Sequence, residues 1–87
     1  MSLEYDLFLN RTTSSELLTL SKKERRKIVG LLDRLASNPF FDVDHTFTDQ
    51  KGRLVYKSIM EDFLVTFSID HAIKEVKIHE LLILSLD

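Results

Sequence analysis

Arg53 and Lys57 stand four residues apart in the strand-like run RLVYKSIM. Side chains along a strand alternate between its two faces, so both cations fall on one face. A later run of the same kind, IKEVKIHELLIL, carries His79. Imidazole is the side chain whose ordinary pKa lets it give or take a proton near neutral pH. Cations held on a sheet can stabilise anionic charge, and a nearby imidazole can act as general acid or base. For that chemistry His79 must share a cleft with Lys57 across the sheet; otherwise both are structural or solvated.

The other reactive side chains are less promising. His45 lies among Asp42, Asp44 and Asp49, but without the ligand spacing of a helix or hairpin metal site. A solvated acidic loop is the expected reading, with no metal and no cofactor. His71 falls in a turn and receives no role. There is no zinc motif and no Ser-His-Asp pattern, and two glycines cannot build a phosphate-cradling loop. Lys22, Lys23, Arg25, Arg26, Lys27 and Arg34 place half of the 12 basic residues in one segment, which reads as a solvated helix face.

Length and composition set the frame. Eighty-seven residues make one domain, 1–87, near the lower size for a core that stands alone. An apolar share of 44% and a charged share of 30% are ordinary for a folded domain. The absence of Cys excludes disulfides and thiolate metal sites and fits a reducing cytoplasm. No apolar run reaches the roughly 18–20 residues that cross a membrane. The start, MSLEYDLFLN, lacks the basic and small-residue features of a signal peptide. The formal net charge of −2 leans away from extensive phosphate binding, which usually goes with a basic excess.

Several elements must position the candidate residues. Leu3, Tyr5, Leu7 and Leu9 alternate with Glu4, Asp6 and Phe8, a first strand. Thr13-Ser14-Ser15-Glu16 has the form of a capping box and predicts a short helix from about Ser14 to Leu20. Ser21-Lys22-Lys23-Glu24 is a second capping box, so two helices meet at a tight corner. Ile28, Leu31, Leu32 and Leu35 form the stripe of a helix over Lys22–Ser37, which Asn38-Pro39 should end. Phe40–Gly52 is mostly loop, with room for a short strand at His45–Thr48. Leu54, Tyr56, Ser58 and Met60 then alternate with Arg53, Val55, Lys57 and Ile59. After a turn at Glu61-Asp62, Phe63, Val65, Phe67 and Ile69 oppose Leu64, Thr66, Ser68 and Asp70. A turn at Asp70–Ala72 leads to a last strand from Ile73 to about Leu82. The expected fold class is α+β: a two-layer β-α-α-β-β-β domain, with a helical hairpin packed on an antiparallel sheet. The apolar tail Leu81–Leu86 is either a buried closing strand or a sticky edge for a partner.

This order resembles the RelE/ParE toxin superfamily of type II toxin–antitoxin systems, in a divergent form. The helix ending at Asn38-Pro39, the basic strand at Leu54–Ile59 and the run Phe63-Leu64-Val65-Thr66-Phe67 carry the likeness. The last of these falls where the family has Tyr-Arg-hydrophobic-x-Tyr. Leu64 occupies the place of the family's strand arginine, and Leu81-Leu82-Ile83-Leu84 stands where those enzymes end near another arginine. His79-Glu80 matches a His-Asp pair seen late in some relatives once a small gap is allowed.

The resemblance implies a cytoplasmic, plasmid-stabilisation type of toxin neutralised by a cognate antitoxin. In an active form it implies an mRNA endoribonuclease working on the ribosome. Cleavage through the 2′-hydroxyl needs a base, a cation for the pentavalent phosphate and an acid for the leaving oxygen. The candidate catalytic residues are Arg53, Lys57 and His79, with Lys51, Arg53 and Lys57 as nucleic-acid contacts. A second reading stays open: a binding module on the same fold, without nuclease activity, that engages an antitoxin or gyrase. A homodimer formed through the last strand is a third.

Overall fold

A computed structural model describes residues 5–38 and 43–84. The elements are β1 (Asp6–Leu9), α1 (Arg11–Thr19), α2 (Lys22–Ser37), β2 (His45–Thr48), β3 (Leu54–Met60), β4 (Phe63–Asp70) and β5 (Glu75–Ile83). They form an α+β fold of two helices on a five-stranded sheet, in the spatial order β1-β5-β4-β3-β2. The expected β-α-α-β-β-β order gains one strand, β2, where only room for a strand was legible. The sheet is also not wholly antiparallel, because β1 pairs with β5 in parallel, Asp6 beside Glu75 through Leu9 beside Ile78. Leu3, Glu4, Pro39, Asp42 and Leu86 lie outside the described residues.

Alternation decides which sheet face the helices cover. Phe63, Val65 and Phe67 on β4 are at most 1% exposed, as are Val76 and Ile78 on β5. They pack with Met60 and Leu81 against Ile28, Leu31, Leu32 and Leu35 of α2. Burying each such side chain stabilises by about 1.5–3 kcal/mol relative to leaving it in water. Tyr56 stacks on Phe67 at 5.6 Å on the same face. The stripe read from the sequence of α2 is therefore the roof of the core.

Helix starts follow the strength of their caps. Ser21 caps α2 with both arms of the box: Glu24 N–H donates to Ser21 Oγ at 3.1 Å, and Ser21 N–H donates to Glu24 Oε1 at 3.2 Å. The box expected at Thr13–Glu16 does not form. Asn10 caps α1 instead, its Oδ1 accepting from Thr13 N–H at 2.7 Å. Asn outranks Thr as a cap, and the earlier start turns Thr13 inward, where it is fully buried. Asn38 ends α2 at φ −149° and ψ 85°, outside the helical region that a residue before proline avoids.

The basic segment of α2 is partly structural. Arg25 reaches back to the carbonyls of Leu17, Leu18 and Leu20 at 3.1–3.3 Å, at the end of α1 where helical partners run out; the Leu17 carbonyl also accepts from Leu20 N–H at 3.3 Å. Lys27 meets Asp62 at 3.3 Å and Glu61 at 3.6 Å in the β3–β4 turn. These carboxylates raise the Lys27 pKa above its ordinary value, Asp62 first.

The last strand starts two residues later than expected, after a turn in which Lys74 adopts φ 51° and Asp70 Oδ1 accepts from Ala72 N–H at 3.0 Å. Along Glu75–Ile78 β5 lies between β1 and β4, and beyond Ile78 it pairs with β4 alone. Of its apolar end, Leu81 is buried, whereas Leu82, Ile83 and Leu84 are about two-fifths exposed. The described part of the tail is thus partly buried and runs along the stretch of β5 that β1 does not reach.

Candidate functional site

The sheet face turned away from the helices carries the candidate residues. β3 presents Val55, Lys57 and Ile59 there, with Arg53 just before it; β4 presents Leu64, Thr66 and Ser68. Cross-strand register fixes the rows: Lys57 lies beside Thr66 and Thr66 beside Glu80, while Ser68 lies beside Lys77. Val55 belongs to this face and is still only 5% exposed, covered from β2 by Phe47, its register partner. Lys57 Nζ lies 5.4 Å from the centre of the Phe47 ring, a cation–π distance that steadies the ammonium group.

A β-bulge shapes the middle of β5. Thr66 pairs with Glu80, but the next residue, Phe67, pairs with Ile78. His79 is the extra residue of the bulge. Simple alternation from Ile78 would bury Glu80 and expose Leu81. The bulge reverses this, burying Leu81 and leaving Glu80 exposed. As a result His79 and Glu80 both reach hydroxyls of the open face. His79 Nε2 lies 2.8 Å from Ser68 Oγ, and Thr66 Oγ1 donates to Glu80 Oε1 at 3.4 Å.

Charge around His79 is set by its neighbours. Its pKa is held below the ordinary imidazole value, first by burial and then by the Arg53 cation, with a smaller push from Lys77; Asp49 acts in the opposite direction. The ring is therefore kept neutral near pH 7, the form that accepts a proton.

Arg53 is tied into the β2–β3 turn. Its Nε is 2.9 Å from Asp49 Oδ2, and its N–H donates to Asp49 Oδ1, also at 2.9 Å. Lys51 N–H shares that Oδ1 at 2.9 Å, around a turn that needs Gly52 at φ 79°. The Asp49 carboxyl is held below its ordinary pKa, chiefly by the Arg53 N–H, then by the Arg53 side chain and the Lys51 N–H, against desolvation. Lys51 itself projects from the turn as an exposed residue.

Of the sequence-derived candidates, Arg53 and His79 are near enough to interact electrostatically. Lys57 lies on the same face, two strands from the bulge, which is roughly 10 Å at the usual strand spacing. Lys51 is held near Arg53 by their shared carboxylate, and no contact links it to His79 among the described residues. Ser68, Lys77 and Asp49 belong to the site and had not been singled out for it. Ser68 and Lys77 were discoverable as register neighbours of the candidate strands, had the bulge been known. A cleft of about 320 Å³ opens beside them, with Arg53, Ser68, Asp70, His71 and Lys77 in its lining. His71, given no role above, shares a hydrogen bond of 3.1 Å with Tyr5 Oη.

Asp44, His45 and Asp49 represent the acidic loop among the described residues, where no group of three or more His, Asp or Glu could hold an ion. Its carboxylates serve the backbone instead, since Asp44 Oδ2 accepts from Ile59 N–H at 2.6 Å and Asp49 closes its own turn. No helix among the described residues is long and apolar enough to cross a membrane.

Leu64 completes the face at its other end. It lies between Ile59 and Leu82, which are 50% and 41% exposed, so an apolar row occupies the ground where the resemblance puts an arginine.

Solved structures share this fold. A chain of the archaeal RelE–RelB complex from Pyrococcus horikoshii superposes with a TM-score of 0.75 at 20% identity, covering 97% of this chain and 99% of that one. The fold is that of the RelE-like toxins. The toxin–antitoxin complex RelBE2 from Mycobacterium tuberculosis contains a second match, with a TM-score of 0.79 at 14% identity over 92% of this chain and 91% of that one. No protein-family model matches the sequence, and no curated protein matches it either. The RelE-like fold is therefore carried by element order and packing far more than by residue identity.

Proposed function

We propose that this chain is the toxin component of a toxin–antitoxin pair and that it cleaves mRNA on the ribosome through its open sheet face. The observation that carries the reading is the β5 bulge that brings the His79 ring to Ser68 on the uncovered face of a RelE-like sheet, where burial and the Arg53 charge lower its pKa. The RelE–RelB and RelBE2 structures are complexes with antitoxins, which supports a cognate antitoxin as partner here.

In the proposed reaction His79 takes the proton of the ribose 2′-hydroxyl. The 2′-oxygen attacks phosphorus, the bond from phosphorus to the 5′-oxygen breaks, and that oxygen takes a proton from water. Arg53 and Lys57 stabilise the added negative charge on the phosphate, and Lys51 contacts the flanking backbone. Positioned proton transfer contributes about 10²–10⁴-fold to such a rate. Expression of the chain alone should arrest growth and cut mRNA, co-expression with the product of an adjacent antitoxin gene should relieve both, and His79→Ala should abolish cleavage. Normal growth with soluble, folded protein present would remove the nuclease reading.

A second reading has its own support. The Ile59–Leu64–Leu82 row and the tethering of Arg53 by Asp49 both weaken a phosphate site and suit a binding module that engages an antitoxin or gyrase. Recovery of gyrase by the purified chain, without RNA cleavage, would favour it.

A further inference from the structure

His79 is held from two directions. Its carbonyl accepts from Asn10 Nδ2 at 3.3 Å, which anchors the backbone of the bulge to the start of α1. Its ring meets Ser68 Oγ through Nε2 at 2.8 Å, which leaves Nδ1 without a protein partner among the described residues. Ser68 stands on the neighbouring strand, beside Lys77 in register, so its hydroxyl is a fixed point on a paired backbone. We propose that Ser68 is a positioning residue: it accepts a hydrogen bond from Nε2–H, fixes the His79 tautomer, and turns the Nδ1 lone pair toward the open face to take a proton. This deepens the nuclease reading above and rests on it for the identity of the proton donor, a ribose hydroxyl.

The chemistry favours a hydroxyl in this place. A serine oxygen that accepts from Nε2–H serves the neutral ring and the imidazolium alike, so proton uptake at Nδ1 needs no rearrangement. The opposite arrangement, with Ser68 donating to Nε2, would put the hydrogen on Nδ1 and remove its lone pair. A serine nucleophile activated by His79 would need a third group to orient the ring at Nδ1, and none is present among the described residues. The charged groups around the ring are Arg53 and Asp49 from the β2–β3 turn and Lys77 on β5. Lys57 on β3 and Glu80 on β5 lie in the adjoining row. Ser68 adds to these a directional bond, and such a bond is stronger to the imidazolium than to the neutral ring.

Ring ¹⁵N resonances of His79, followed through a pH titration of the whole chain, test this without reliance on activity. The native protein should show the Nε2–H tautomer. Ser68→Ala should give a tautomer mixture and a pKa lower by roughly 0.5–1 unit, the difference expected between a neutral and a charge-assisted bond. Ser68→Thr, which keeps the hydroxyl, should restore both. Where RNA cleavage is present, Ser68→Ala should slow it about tenfold or more and move the acid-side limb of its pH profile with the ring pKa. An unchanged tautomer and pKa in Ser68→Ala would overturn the proposal even if cleavage persists. A fixed Nε2–H tautomer that Ser68→Ala releases, in a chain that cuts no RNA, would uphold the positioning role and sink the nuclease reading alone.

Discussion

Asn10 donates a hydrogen bond of 3.3 Å to the carbonyl of His79 across 69 residues of sequence, while its Oδ1 caps α1 through Thr13 N–H at 2.7 Å. One side chain thus joins the start of a helix to the bulge that sets the direction of the imidazole. Local helix stability and the geometry of the candidate site therefore share a residue.

The two functions of Asn10 should separate by substitution. Asn10→Ala loses the cap and should cost about 0.5–2 kcal/mol. Asn10→Asp keeps an accepting oxygen for Thr13 but offers no donor to His79. It should unfold at nearly the native denaturant concentration and yet show faster amide exchange around His79 and Glu80. Equal exchange in Asn10→Asp and the native chain would mean that strand pairing alone holds the bulge.

Arg25 should behave as part of the helical corner rather than as a nucleic-acid contact. Its guanidinium meets three carbonyls at the end of α1, so Arg25→Ala should lower stability by about 1–2 kcal/mol. Lys22→Ala and Lys23→Ala, at exposed positions, should stay within about 0.5 kcal/mol of the native value. Denaturant titration gives the stability ranking, and RNA affinity measured alongside should be unchanged by Arg25→Ala under conditions where it is folded.

The pH dependence around His79 follows from the sign of its shift. Its folded pKa lies below the ordinary value, so the unfolded chain takes up a proton first as pH falls. Stability contributed by the neutral ring is present above about pH 6.5, the ordinary value, and declines as pH falls toward the folded pKa. His79→Gln should flatten that part of the stability curve. Asp49→Asn should lower the His79 pKa further, because Asp49 opposes the shift, and should free Arg53 for phosphate. Titration of His79 in Asp49→Asn checks the first effect, and the salt dependence of RNA binding checks the second; an unmoved pKa would show that the Asp49 charge does not act on the ring.

What was legible in the sequence divides along the range of the interactions involved. The α2 stripe and the Ser21–Glu24 box are local patterns, and both stand as read. Alternation separated Lys57 from Tyr56 correctly, because one face of β3 meets the core. The start of α1 went astray because Asn10 and Thr13 both have capping side chains, and only the inward turn of Thr13 chooses between them. The bulge left no local mark: IKEVKIHELLIL reads as an unbroken strand, and the extra residue emerges only when Phe67 pairs with Ile78. Ser68 was consequently seen as a strand residue and not as the partner of His79. The pairing of Arg53 with Asp49 was nearer to hand, since Asp49 opens a turn that Gly52 closes, a common turn composition.

Leu64 offers the most direct test of the open face. It lies between Ile59 and Leu82 in register and is half-buried, with the helices and core on the opposite side of the sheet. A long cationic side chain at this place can lay its methylene stem along the apolar row and hold its charge in water. Leu64→Arg should therefore fold, with a stability loss of about 1 kcal/mol or less, as for substitutions away from a packed core. It adds a cation one row beyond Thr66, the register partner of Lys57, and restores the residue type that the family resemblance assigns to this strand. On the nuclease reading it should raise the rate of mRNA cleavage and steepen the salt dependence of RNA binding by close to one phosphate contact. On the binding-module reading it should weaken antitoxin or gyrase association by interrupting the apolar row, and create no cleavage. Measuring cleavage, salt slope and partner affinity on the same folded variant separates the two readings. An unchanged value in all three would show that this end of the sheet takes part in neither function.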